Sequence, residues 1–328
     1  MTAEIRPLGE FELIERYFAH GAHDARSDVI AGIGDDAAIL RLPSDLDLVA
    51  AVDTLVAGRH FPVQSGARSI GHRALAVNLS DIAAMGATPA WATLALTMPS
   101  ADGAWLAEFS TGFTQLAQAH GVALVGGDTT AGPLTISVQI LGTVERGGAL
   151  RRMGAQAGDV LAVTGTLGDA GAGLRLSMGR LASPTCAATL ELIGRFEYPT
   201  PRIAFGRAAR GIASAAMDLS DGLVGDLPKL ASASGLAARV DVTRLPLSPA
   251  LLGLVPEAQA RELALAAGDD YELLVAVAPR RFDELAESAR RLNLTVTAIG
   301  ELLPGRGVAW TLAGRPYAVP ANGYDHFR

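Results

Sequence analysis

A mixed α/β protein of two domains is what the sequence predicts, on three observations. Of its 328 residues 49% are hydrophobic, with a mean hydropathy of +0.28; that is enough for a large buried core and long enough to favour two domains over one. Segments with strand-like apolar runs alternate with segments of helical spacing along the chain. Between residues 145 and 159 both patterns lapse into ERGGALRRMGAQAGD, glycine-rich and basic, which sets the domains at 1–146 and 147–328.

In the first domain, residues 10–20 read as a short helix, and DAAILRL (36–42) and DLVAAVD (47–53) as strands. From 67 to 85 the spacing is helical: Leu75, Leu79 and Ile82 share one face, Asn78 and Asp81 another about a quarter turn away. AWATLALTM (90–98) is a strand. Residues 102–120 form a helix with Trp105, Phe109, Phe113 and Leu116 along one side, closed by Gly121 and carrying His120 as a capping charge. VALVGG (122–127) and LTISVQILGTV (134–144) complete a βαβ-rich half. The second domain restarts with the strand VLAVTG (160–165). Helices near 169–179, 186–196 and 201–213 precede the strand SAAMDLS (214–220). A helix after Asp221, the strands 236–242 and 271–278, a helix over 279–292 opened by Pro279, and strands near 294–300 and 307–313 follow. VTGTLGDAGAGL (163–174) lacks the G-x-G-x-x-G spacing and reads as a turn from strand to helix.

Composition excludes several classes. A net charge of −7 argues against a nucleic-acid binder. Cys186 is the only cysteine, so neither an intrachain disulfide nor a thiolate zinc cluster is possible. The N-terminal stretch is charged throughout, without an apolar signal core. The twenty uncharged residues between Asp81 and Asp102 are broken by Gly86, Pro89 and Pro99 and do not read as one membrane span, so a cytoplasmic location is expected. Lys229 is the only lysine among 27 basic residues, and no G-x-x-x-x-G-K-[ST] occurs, which rules out both the P-loop and the protein-kinase plans.

Six acidic motifs share one character: GIGDD (32–36), AVDTL (51–55), NLSD (78–81), VGGDTT (125–130), MDLSD (217–221) and AGDD (267–270). Each sets aspartate at the end of an apolar run or in a glycine turn. Singly, each is explained by a helix cap or a tight turn. Together they point to hard-cation chemistry, because several buried, unpaired carboxylates would cost several kcal/mol each. Aspartate oxygens suit Mg²⁺, which is usually shared between carboxylates and substrate phosphates, and the neighbouring glycines admit phosphate close to the backbone. NLSD also echoes DLSD, and GDDAAIL echoes GDDYELL (268–274), but in reversed order, so tandem duplication is not supported.

These motifs, with GEFELIERYF, VDTLVAGRHF, ALAVNLSDIAAMGATPAWATLALTMP and the terminal NGYDHF, resemble the thiamine-monophosphate kinases of the aminoimidazole-ribonucleotide synthetase-like superfamily over nearly the whole chain. The resemblance implies that family's two-domain α/β fold, with the N-terminal sheet pairing across a homodimer, and ATP-dependent conversion of thiamine monophosphate to thiamine diphosphate with Mg²⁺. It implies magnesium at Asp36, Asp53, Asp81, Asp128, Asp218 and Asp221, with Asp35 left either as a turn residue or as one that supports the metal ligands without touching the metal. ATP contacts are implied at Gly127, Asp128, Arg152 and Ser220, and substrate contacts at His60 and Asp269. The sequence departs from the family pattern at Ala51 and Val52, where hydroxyl residues are frequent, and at Asp269, commonly glutamate. It departs again at Ala321, where an aromatic residue often stacks on substrate; the stacking then comes from elsewhere, with Tyr324 the candidate, or is absent. Another ATP-using synthetase of the superfamily and a non-catalytic thiamine-phosphate binder are the alternatives.

Overall fold

A computed structural model of the chain describes residues 10–19, 26–182 and 185–319. The chain forms two compact units, Met1–Leu79 with Pro89–Thr143, and Ser80–Thr88 with Val144–Arg328.

The first unit runs α1 (Glu10–Tyr17), β1 (Val29–Ala31), β2 (Ile39–Leu40), β3 (Leu46–Val56), α2 (Ala67–Ala84, whose end from Ser80 belongs to the second unit), β4 (Thr88–Met98), α3 (Gly103–Ala119), β5 (Ala123–Ala131) and β6 (Thr135–Glu145). Its four-stranded sheet has the order β3-β6-β4-β5, and β4 pairs parallel to β5, as a connection through a helix requires. Helix α2 keeps its apolar stripe, with Leu75, Leu79 and Ile82 fully buried, but the polar Asn78 and Ser80, nearly opposite each other around the helix, are fully buried too. Helix α3 begins where Asp102 accepts the amides of Ala104 and Trp105, and the rings of Trp105, Phe109 and Phe113 stack at 5.0 and 6.4 Å. At its end the expected capping charge is corrected: burial, then the neighbouring His72, lowers the pKa of His120 and disfavours its charged form. The strand expected over 36–42 shrinks to Ile39–Leu40, paired antiparallel with β1, and residues 34–37 form an exposed turn. Two glycines' worth of turn chemistry outweighs the apolar run there.

The second unit runs β7 (Val160–Thr164), α4 (Asp169–Ser177), α5 (Ala187–Glu197), α6 (Ile203–Ala209), β8 (Ala215–Asp218), α7 (Leu223–Ala233), β9 (Leu236–Asp241), α8 (Pro249–Leu254), α9 (Glu257–Ala266), β10 (Leu273–Val277), α10 (Phe282–Arg290), β11 (Val296–Pro304), β12 (Val308–Leu312) and β13 (Arg315–Pro316). Its sheet order is β13-β12-β9-β11-β7-β10-β8, and of the pairs only β12 with β9 is parallel. Leu161, Val163, Leu227, Leu230, Leu274 and Ile299 are fully buried in its main core. Helices α8 and α9 escape the sequence pattern: α8 has only six residues, and four of the ten residues of α9 are alanines, which give little contrast between faces. Pro279 opens a 3₁₀ turn, and the α-helix starts only at Phe282. Among the described residues no helix is long and apolar enough to cross a membrane.

Candidate functional site

In the first unit the motif AVDTL is tied to the side chain of Asn78, the residue that opens NLSD; Ser80 and Asp81 of that motif belong to the second unit. The Asp53 amide on β3 donates to Asn78 Oδ1 at 3.0 Å, while Asn78 Nδ2 donates to the Ala74 carbonyl one turn back along α2. Just past β3 the chain turns tightly, and the Val56 amide donates to His60 Nδ1 at 2.9 Å. That bond requires an unprotonated Nδ1 and so places the proton of the neutral ring on Nε2. Asp36 lies in the exposed turn between β1 and β2. Asp35 Oδ1 accepts the Asp36 amide at 2.8 Å within this turn. Asp128 is exposed on β5 opposite Ala95, next to Gly127. A Cβ on Gly127 would lie 1.9 Å from the Leu94 carbonyl oxygen, and its φ of +154° is rarely adopted by other residues, so only glycine lets β5 lie this close to β4.

The second unit gathers the MDLSD and AGDD motifs. Asp218 ends β8 with 6% exposure and accepts Ser80 Oγ at 2.8 Å, which sets NLSD, and with it the half-buried Asp81, beside MDLSD. The Ser220 and Asp221 amides both donate to Asp226 Oδ2, at 3.0 and 2.9 Å. Lys229 Nζ donates to Asp221 Oδ2 at 2.6 Å and to Asp226 Oδ1 at 2.9 Å. Burial raises the pKa of Asp226, the Lys229 ammonium opposing it. The Asp269 amide donates to the Ser220 carbonyl, and the Tyr271 amide to the Leu219 carbonyl, each at 2.9 Å. Asp218, Ser220, Asp221 and Asp269 are therefore brought together. Arg152 is exposed next to Arg151, whose carbonyl accepts the Ala216 amide of β8. Tyr324 and Ala321 lie outside the described residues. A cavity of about 690 Å³ lined by Arg239, Asp241, Arg244, Phe282 and Glu301 contains none of these groups.

The donor set suits magnesium in kind: aspartate oxygens, several of them exposed or half-buried. Among the described residues no three His, Cys, Asp or Glu side chains converge as a self-contained metal cage. Magnesium needs none, because it keeps waters and takes phosphate oxygens alongside one or two carboxylates.

Sequence reasoning missed the groups beneath these loops. Asn78, Asp226, Asp270 and Glu272 are all buried: Asn78 and Asp270 lie in the motifs but do not stand out as supports, and Asp226 and Glu272 do not stand out at all. Asn78 and Asp226 accept motif amides, whereas Asp270 accepts the start of α4 and Glu272 accepts the side chains of Thr164, Arg195 and Arg202. The available signal was an acid opening the apolar run YELLVAVA. Burial pushes Asp270 up to about 8, against the amides of Gly168 and Ala170 that it accepts at 2.7 and 3.3 Å. A carboxyl whose folded pKa is raised stabilises most below its unfolded value near 3.8, and that contribution is lost as pH rises through about 8. Asp270→Asn cannot ionise, so its melting temperature relative to the wild type is expected to rise steadily from pH 5 to 9. A constant difference across that range contradicts a protonated Asp270.

Comparison with known proteins adds a second line. Residues 34–144 match the family AIR synthase related protein, N-terminal domain, and residues 156–312 match its C-terminal domain. The thiamine-monophosphate kinase of Salmonella typhimurium is 46% identical over 320 residues, covering 97% of this chain and 98% of that one. The crystal structure of thiamine-monophosphate kinase from Stenotrophomonas maltophilia superposes with a TM-score of 0.86 at 47% identity, over 94% of this chain and 98% of that one. A structure described as AaThiL complexed with AMPPCP and TMP superposes with a TM-score of 0.78 at 31% identity, over all of both chains.

Proposed function

The chain belongs to the AIR synthase related family and, within it, to the thiamine-monophosphate kinases, and from that membership we propose that it transfers the γ-phosphoryl group of ATP to thiamine monophosphate. The products are ADP and thiamine diphosphate. The observation that carries the reading is 46% identity over 97% of the chain to such a kinase, with the acidic motifs in place. AaThiL with AMPPCP and TMP bound supports the same pair of ligands.

The transfer is direct and in line. A bond forms between an oxygen of the substrate phosphate and the γ-phosphorus, while the bond from that phosphorus to the β,γ-bridging oxygen breaks and leaves with ADP. A phosphate monoester is already largely ionised at neutral pH, its second pKa being about 6, so no general base is required. Positioning and charge neutralisation are what remains for the protein to supply. Magnesium, when bound, supplies positive charge at the phosphate oxygens, and Asp36, Asp53, Asp81, Asp128, Asp218 and Asp221 are the residues that would hold it. Gly127 admits the nucleotide phosphates close to the backbone, Ser220 offers a hydroxyl, and Arg152 balances phosphate charge where other kinases use lysine. On the substrate side His60 donates from Nε2, and Asp269 and Tyr324 complete the contacts.

A homodimer formed by the first unit's sheet is part of this reading. Strand β3 is an eleven-residue edge strand, and Leu48 and Val52 project from it 51% and 63% exposed. Long apolar edge strands are rarely left uncovered. Light scattering on the wild type is expected to give a dimer and on Val52→Lys a monomer; a monomeric wild type contradicts the pairing. We place the enzyme in the cytoplasm, where ATP is plentiful.

Incubation with ATP, Mg²⁺ and thiamine monophosphate tests the function. Equal amounts of ADP and thiamine diphosphate are expected. Binding of both ligands without turnover would make the chain a binder, and ADP without thiamine diphosphate would point to another synthetase.

A further inference from the structure

Four described non-glycine residues have positive φ, and two of them flank one buried acid: Asp269 at 63° and Tyr271 at 49°. Asparagine and aspartate tolerate the left-handed region, but a bulky aromatic residue rarely enters it. Such a conformation persists only where its surroundings over-determine it. Here they do. Asp270, between the two, accepts the amides of Gly168 and Ala170 at the start of α4. Glu272, with no exposed surface, accepts Arg202 Nε at 2.7 Å, Arg202 Nη2, Arg195 Nη2 at 2.8 Å and Thr164 Oγ1 at 2.6 Å. Space for that carboxylate exists because residue 165 is glycine: a Cβ there would lie 2.2 Å from Glu272 Oε1. From above, the amides of Asp269 and Tyr271 reach the carbonyls of Ser220 and Leu219, and the Tyr271 hydroxyl lies 3.4 Å from Asp269 Oδ1.

We propose that Asp270 and Glu272 are positioning residues, which pin the 268–272 segment from beneath so that Asp269 is held in its left-handed conformation and offered to the substrate. The inference deepens the function proposed above and rests on the assignment of Asp269 to the thiamine phosphate. A purely structural role is the competing account. Buried ion clusters, however, are weak stabilisers compared with apolar packing of the same volume. Four donors on one buried carboxylate instead fix a geometry, three residues from the Asp269 side chain whose placement matters.

The test compares four variants of the full-length protein by steady-state kinetics and thermal melting. Glu272→Gln removes the charge and keeps the shape. Arg202→Lys keeps the charge and loses the two-pronged contact, and it carries the test alone if the first variant does not fold. Both are expected to raise KM for thiamine monophosphate by about tenfold or more, with KM for ATP within about twofold of the wild type. Asp269→Gly relieves the left-handed backbone and is expected to melt higher than the wild type while losing substrate affinity. Melting temperatures lowered with KM for thiamine monophosphate unchanged would make the cluster structural and overturn the proposal. A lower melting point for Asp269→Gly overturns it as well. Asp269→Ala with wild-type KM removes the premise, and that failure is distinct because it does not involve the buried cluster.

Discussion

Asparagine in place of Asp128 is expected to lower kcat by about two to three orders of magnitude, the scale seen when one charge-stabilising group is lost from a transfer site. The fold should survive. Asp128 is exposed on β5, asparagine keeps its volume, and surface replacements away from packed or capped positions usually change stability by about 0.5 kcal/mol or less. What changes is one negative charge among those assigned to magnesium. Asp81→Asn is expected to behave alike, although Asp81 is half-buried beside the Ser80–Asp218 contact and will show a somewhat larger stability change. Measuring kcat and melting temperature together separates the two effects. Near-normal turnover in either variant rejects its place among the ligands.

Gly127→Ala is the largest expected loss of stability. The added methyl group would sit 1.9 Å from the Leu94 carbonyl oxygen and 2.7 Å from its carbon, both backbone atoms that no rotamer change can move aside. Its φ of +154° adds strain for any residue with a side chain. Relief requires prying β5 from β4 where Gly127 pairs with Leu94. Overpacking and backbone strain together should cost about 3 kcal/mol, read as a lowered urea midpoint. Asp128 follows directly in the chain, so activity should fall further than stability explains. Wild-type stability in this variant would show that the strands separate easily there.

Much of the architecture was legible because its signals are local. The aromatic stripe of α3, its Asp102 start and its Gly121 stop lie within twenty residues, and helix and strand periods alternate cleanly around them. The acidic motifs were legible as chemistry because aspartate beside glycine is uncommon in apolar surroundings. Long-range pairing was not: nothing local says that β7 lies between β10 and β11, or that β12 runs parallel to β9. The GIGDD turn shows the limit from the other side. Its two charges looked buried because their neighbours are apolar, yet residues 34–37 are exposed and Asp35 spends its carboxylate on the Asp36 amide. Glu272 was overlooked for the opposite reason. Its neighbours in the chain are strand-formers, and its partners Thr164, Arg195 and Arg202 come from elements 70 or more residues away. The echo between NLSD and DLSD gained a physical meaning only in three dimensions, where Ser80 of one donates to Asp218 of the other.

Direct phosphoryl transfer is the central claim, and ATP labelled at its γ-phosphate tests it most directly. With Mg²⁺ and thiamine monophosphate present, the label is predicted to appear in the terminal phosphate of thiamine diphosphate, one equivalent for each ADP formed. Label released as inorganic phosphate, with thiamine monophosphate left unchanged, would contradict it.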